Sequence, residues 1–240
     1  IHVIIPHFGY ARQDKKSAAR EPISSRLMAD LLSAVGFDRL ITIDLHSDQI
    51  QGFFNQPVDH LTARLLFVDY FKEKNIPNLA VVAPDTGRAK TAKKIGDLLN
   101  ADLVLLHKTR PKHNVAEITN VVGDVKGKNL LIVDDMIDTG GTACKAASTL
   151  KDNGAKNVFM LATHGLFSGP AISRIKDSCF SKVVVTNTVC PRRETIECNK
   201  IQIIDVSWMI AEAIKRQHDG TSLSRLYLDG NVLRDNSGFN

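Results

Sequence analysis

The chain has 240 residues, enough for one large or two modest α/β domains. Hydrophobic residues make up 43% and charged residues 24%, which excludes disordered and fibrous classes. No apolar run approaches the roughly 20 residues of a membrane helix. Lys and Arg number 31 against 26 Asp and Glu, and the net charge of +5 suits phosphorylated small molecules without demanding nucleic acid. Aromatics at 6% argue against a base-stacking surface, so neither nucleic acid nor membrane is expected as a partner.

Short apolar runs alternate with helical stripes along the chain. IHVII (1–5) reads as a buried strand. Residues 22–35 put Ile23, Leu27, Leu31 and Val35 on one helical face, and Gly36 stops the helix. LITID (40–44) is the next strand, followed by a helix near 61–74, strand LAVVA (79–83), a helix near 88–99 and strand DLVLL (102–106). After a polar loop come strand NLLIV (129–133) and a helix over 142–152. VFMLAT (158–163), KVVVT (182–186) and IQII (201–204) complete the strands, and a helix over 205–217 carries Ile210, Ala213 and Ile214. This alternation predicts an α/β protein with parallel strands and helices packed on both faces. The polar tail 229–240 is expected to fray.

GFDRLITIDLH (36–46) and GAKNVFMLATH (154–164) share a pattern: a glycine ending a helix, then a strand, then a histidine. Two related α/β halves would produce it, and so would coincidence. Cys144, Cys179, Cys190 and Cys198 have no metal or redox spacing and read as thiols in a reducing compartment. The opening IHVIIP lacks the basic region and cleavage site of a secretory leader. Its start at Ile1, a strand entered without warning, suggests a fragment.

NLLIVDDMIDTGGT (129–142) carries the strongest chemical signal. A buried strand ends in Asp134 and Asp135, and Asp138 precedes Thr139, Gly140, Gly141 and Thr142, which open a helix. Ligands of such sheets bind beyond the carboxyl ends of strands. Small residues let backbone N–H groups approach a phosphate, and a helix N-terminus favours negative charge. The carboxylates would repel that phosphate, and accepting hydrogen bonds from neighbouring ribose hydroxyls gives them a task. A sugar phosphate satisfies both halves. The plainer alternative is a turn capped by Asp138 or Thr142.

Three other segments have two readings each. Arg12, Lys15 and Lys16 in FGYARQDKK (8–16) suit a polyphosphate or form a solvated loop. Asp44 and His46 lie two apart and would point the same way from extended chain, as ligands or as ordinary structural residues. Lys108, Arg110 and Lys112 in HKTRPKH (107–113) form either a solvated basic loop or a mobile lid bringing cations to a phosphate.

The 129–142 block resembles the ribose-phosphate loop of phosphoribosyltransferases. Seven blocks in order are similar to the ribose-phosphate pyrophosphokinases: FGYARQDKK (8–16), REPIS (20–24), DLHSDQIQGFF (44–54), VAPDTG (82–87), GDVKGKNLLIVDDMIDTGGT (123–142), THGLFSGPAISRI (163–175) and VVVTNT (183–188). The resemblance covers nearly all of residues 1–228. It implies two phosphoribosyltransferase-like domains with mostly parallel sheets. The first is incomplete over 1–60, the second spans 61–217, and a carboxy-terminal segment covers 218–240. It implies transfer of a diphosphate from ATP to ribose 5-phosphate with Mg²⁺ in a cytoplasmic homo-oligomer, commonly a hexamer.

By the same resemblance Arg12 and Gln13 hold ATP, and His46 and Asp85 attend the metal. Lys108 and Arg110 belong to a catalytic loop, and Ser222 and Ser224 lie near a regulatory anion site. Asp134, Asp135, Asp138 and residues 139–142 take ribose 5-phosphate. The alternatives are a phosphoribosyltransferase and a catalytically silent subunit that regulates active synthetases. One departure stands out. The family pattern has two glycines at the positions of Gly87 and Arg88; the Arg88 side chain points outward, adds a phosphate contact or crowds the site, and the outward orientation is the one expected.

Overall fold

The computed structural model describes residues 1–112 and 115–227, with 108–112, 115–119 and 227 described by backbone alone. The tail 229–240 lies outside the described residues. The chain divides into two compact units, one formed by residues 1–63 with 188–190 and the other by 64–187 with the chain from 191 onward.

The first unit contains β1 (His2–Ile5), α1 (Ser24–Val35), β2 (Arg39–Ile43) and β3 (Val58–Leu61). The strands form a parallel sheet in the order β1-β2-β3. Strand β3, sequence VDHL, escapes the sequence reading because its polar residues break the apolar run. The core gathers Phe8, Ala29, Leu40, Ile50 and Phe54, with the Phe8 and Phe54 rings edge-on at 5.6 Å.

Helix α1 departs from the expected orientation of its apolar stripe. Leu27, Leu31 and Val35 are 56%, 52% and 88% exposed. Ser25 and Ala29 are buried instead, with Met28 and Leu32 packed beside them on the core. The helix carries apolar residues on two sides. The side with small residues faces inward because it lets the helix approach the sheet most closely.

The second unit begins with α2 (Arg64–Lys74), β4 (Leu79–Ala83), α3 (Ala89–Leu99), β5 (Asp102–Lys112) and β6 (Val115–Val122). It continues through β7 (Asn129–Ile137), α4 (Gly141–Asp152), β8 (Asn157–Gly165), α5 (Ala171–Asp177) and β9 (Phe180–Thr186). It closes with α6 (Arg193–Ile196), β10 (Ile201–Ile204) and α7 (Ser207–His218). Among the described residues its strands form one sheet in the order β10-β9-β8-β7-β4-β5-β6. All neighbouring pairs are parallel except β5 with β6. The interior strands are buried on both faces, which is why they read as continuous apolar runs: Val81 and Val82 in β4, Leu130 to Val133 in β7, Val183 to Val185 in β9.

Two elements here correct the sequence reading. The segment 107–112, expected as a loop, continues β5 and pairs with β6. Strand β7 does not end at Val133 but runs through Asp134 and Asp135 to Ile137. The paired pattern of glycine, strand and histidine falls once in each unit. Gly36 and Gly154, with φ of +92° and +91°, follow α1 and α4. All four cysteines are free thiols. Among the described residues no helix is long and apolar enough to cross a membrane.

Candidate active site

The strand order of the larger sheet locates the site. From β4 the chain proceeds outward through β5 and β6, then returns to place β7 on the other side of β4 and proceeds the opposite way through β8, β9 and β10. The pair β4–β7 is therefore a topological switch point, where the connections leaving the two strands diverge and open a crevice. The turn 85–88 follows β4, and the segment 138–142 follows β7.

In the first of these turns Asp85 has an extended backbone, and its Oδ1 accepts the Arg88 N–H at 3.1 Å. The Arg88 side chain then turns inward, contrary to the expected outward orientation. Its Nε lies 3.3 Å from Asp134 Oδ1 and its Nη2 2.9 Å from Asp135 Oδ1. The side chains of Arg88 and Asp135 are only 15% and 5% exposed. The Asp135 N–H donates to Asp134 Oδ1 at 2.9 Å. Burial, with the adjacent Asp135 carboxylate adding to it, pushes the Asp134 carboxyl up to about 7, while Arg88 pulls it back down.

Beyond β7 the chain is held from several sides. The Ile137 carbonyl accepts from Leu166 and Phe167 N–H groups, and the Asp138 carbonyl accepts from Ser168 N–H at 3.0 Å. The Thr139 carbonyl accepts from Arg174 Nη1 of α5 at 2.9 Å. Gly140 enters α4 with φ +72°, a left-handed conformation that glycine adopts without steric cost, and a Cβ there would meet Ala171 at 3.6 Å. The N-cap residue of α4 is Gly140, which has no side chain to cap with, and the first turn of the helix holds no acidic residue. Asp138 and Thr142 thus flank the N-cap position of α4, which Gly140 itself occupies.

The other candidate residues lie in the first unit or outside the described side chains. Arg12 and Gln13 are exposed in the loop before α1, where the Gln13 N–H bonds to the Tyr10 carbonyl and the Gln13 carbonyl accepts Ser25 N–H. His46 is half-buried after β2. The argument that Asp44 and His46 share an extended chain fails, because Asp44 has φ +41°. Its carboxylate accepts Ala63 N–H at 3.0 Å. His60, which the sequence reading missed, accepts Leu45 N–H on Nε2 at 2.8 Å and braces this turn. The backbone of Lys108 and Arg110 lies in β5, and their side chains are outside the described residues.

Among the described residues no group of three or more His, Cys, Asp or Glu side chains is arranged to hold a metal ion. Asp85 has one carboxylate oxygen committed to its own turn. That donor set fits Mg²⁺ carried largely by substrate phosphates, rather than a protein cage.

The family described as phosphoribosyl synthetase-associated domain matches residues 103–228, and the N-terminal domain of ribose phosphate pyrophosphokinase matches residues 1–36. A ribose-phosphate pyrophosphokinase of Caldanaerobacter subterraneus is 48% identical over 228 residues, covering 95% of this chain and 72% of that relative. The chain belongs to the ribose-phosphate pyrophosphokinase family. A family member from Clostridium perfringens is also 48% identical, over 233 residues, with 95% of this chain and 72% of the relative covered. The crystal structure of phosphoribosylpyrophosphate synthetase from Mycobacterium smegmatis is 42% identical, with a TM-score of 0.84 over 92% of this chain and 72% of that one. The mostly parallel α/β architecture expected from the sequence is that of this relative.

Proposed function

We propose that the chain is a ribose-phosphate diphosphokinase. It transfers the β,γ-diphosphate of ATP to the 1-hydroxyl of ribose 5-phosphate, giving phosphoribosyl pyrophosphate and AMP for nucleotide biosynthesis. The observation that carries the reading is the 48% identity to ribose-phosphate pyrophosphokinases along 95% of the chain. It supports an active enzyme over the silent regulatory subunit.

The chemistry is a displacement at the β-phosphorus. The anomeric oxygen forms the new P–O bond, the bond to the α,β-bridging oxygen breaks, AMP leaves and the hydroxyl proton is released. Such transfer depends on positioning and charge stabilisation more than on covalent help. Asp134, Asp135 and Asp138 accept hydrogen bonds from the ribose hydroxyls. The N–H groups of Thr139, Gly140, Gly141 and Thr142 hold the 5-phosphate at the start of α4, a reading that the glycine at the N-cap and the absence of acidic residues in the first turn support. Arg12 and Gln13 hold ATP, and Lys108 and Arg110 stabilise charge on the transferring group. Asp85 in the second unit and His46 in the first are the residues that would contact Mg²⁺, which would be carried mainly by the substrate phosphates and would supply neutralisation of their charge. The resemblance points to a cytoplasmic homo-oligomer, hexameric in form.

The test is product analysis with ATP and ribose 5-phosphate. AMP and phosphoribosyl pyrophosphate are expected, and only with Mg²⁺ present. ADP as the nucleotide product would mean ordinary kinase chemistry and end the proposal.

A further inference from the structure

Arg88, at the end of the turn that follows β4, is not a surface charge: its side chain is largely buried against β7. Two different nitrogens of its guanidinium reach two different carboxylates, Nε to Asp134 at 3.3 Å and Nη2 to Asp135 at 2.9 Å. Successive residues of a strand ordinarily point to opposite faces. One rigid fork that spans both therefore fixes their side chains against each other. The origin of the fork is fixed too, since the Arg88 N–H is bound by Asp85.

We infer that Arg88 is a positioning residue for ribose 5-phosphate, a built-in cation that holds Asp134 and Asp135 together as hydrogen-bond acceptors without a divalent ion. The inference rests on the reading of residues 134–142 as the ribose 5-phosphate site. Two adjacent, poorly hydrated carboxylates repel and favour keeping one proton as a donor; Arg88 opposes this by lowering the pH at which Asp134 becomes an acceptor, and without that counter-charge Asp134 stays a donor to higher pH. A sugar hydroxyl that must donate would then meet the wrong partner. A guanidinium only donates, so it holds the acids without competing for the hydroxyl protons. Asp134 Oδ1 already takes the Arg88 and Asp135 donors, and Oδ2 lies outside these bonds, available in kind to a ribose hydroxyl.

The experiment is calorimetric titration of ribose 5-phosphate into the chain and its Arg88 variants at about pH 8, where Asp134 of the parent is ionised, in EDTA and again in Mg²⁺. The parent is expected to bind about equally in both. Arg88→Gly is expected to bind about 10- to 100-fold more weakly in EDTA, the scale of losing a charge-assisted partner. Mg²⁺ should restore much of that loss by supplying the missing charge. Arg88→Lys, which keeps the charge and loses the fork, should fall between them. Arg88→Gly binding as tightly as the parent, or more tightly, overturns the inference. So does equal weakening in both variants with no recovery in Mg²⁺, which is the mark of a merely structural residue. A parent that does not bind ribose 5-phosphate at all overturns the site reading itself, and the inference with it.

Discussion

At the scale of single residues, Asp134 shows how the site sets function against stability. Burial and the Asp135 carboxylate raise its carboxyl from 3.8 to about 7, so between those values the folded chain holds a proton that the unfolded chain releases. Stability therefore falls as pH rises through that window. Asp134→Asn removes the charge and with it this dependence. Thermal unfolding is expected to show Asp134→Asn above the parent at about pH 8, with the gap closing towards pH 5. A gap that stays constant with pH would show that Arg88 keeps the carboxylate ionised throughout. The acidic pair and the glycines were legible in the sequence because their types and spacing are unusual. The inward turn of Arg88 was not, because its partners lie on a strand more than forty residues away and only the pairing of β4 with β7 brings them near.

At the scale of elements, α1 shows what periodicity leaves open. Ile23, Leu27, Leu31 and Val35 repeat at helical spacing, but so do Ser25, Ala29 and Leu32 nearby, and the sheet selects the stripe that fits closest. The two stripes predict opposite outcomes. Ala29, fully buried, should not accept a larger side chain, and Ala29→Leu is expected to cost about 1–3 kcal/mol through overpacking. Leu31→Gln, on the outer stripe, should change stability of this chain by less than about 0.5 kcal/mol. Urea unfolding of both variants decides between the stripes, and a large loss in Leu31→Gln would reverse the assignment. Strands divide the same way. Those of the β4, β7, β8 and β9 interior were readable because burial on both faces demands uninterrupted apolar runs. The β5–β6 arm and β3 were not, because their positions at sheet edges tolerate His, Lys, Arg and Asp, which read as loop.

At the scale of the whole molecule, the switch point puts the 85–88 turn and the proposed ribose 5-phosphate segment 138–142 on β4 and β7, which both have neighbours on either side and lie inside the sheet. Sheets open from their margins, where β6 and β10 each have a single partner. Amides in such margins exchange with solvent through small local openings, while those at the centre exchange only when the whole unit comes apart. Hydrogen exchange should therefore rank the amides of Val81, Val82, Leu131 and Ile132 slowest, and those of Gln202 and Val122 among the fast ones. Fast exchange at Val82 or Ile132 would show a separable centre. The chemical consequence is one of timing. A ligand-binding surface mounted on the last strands to part has no loosened form of its own, so the unit either holds its sugar-phosphate geometry or has already lost its fold. A partly denatured population should then titrate as a mixture of full-affinity and inert molecules, with no weakened intermediate between them.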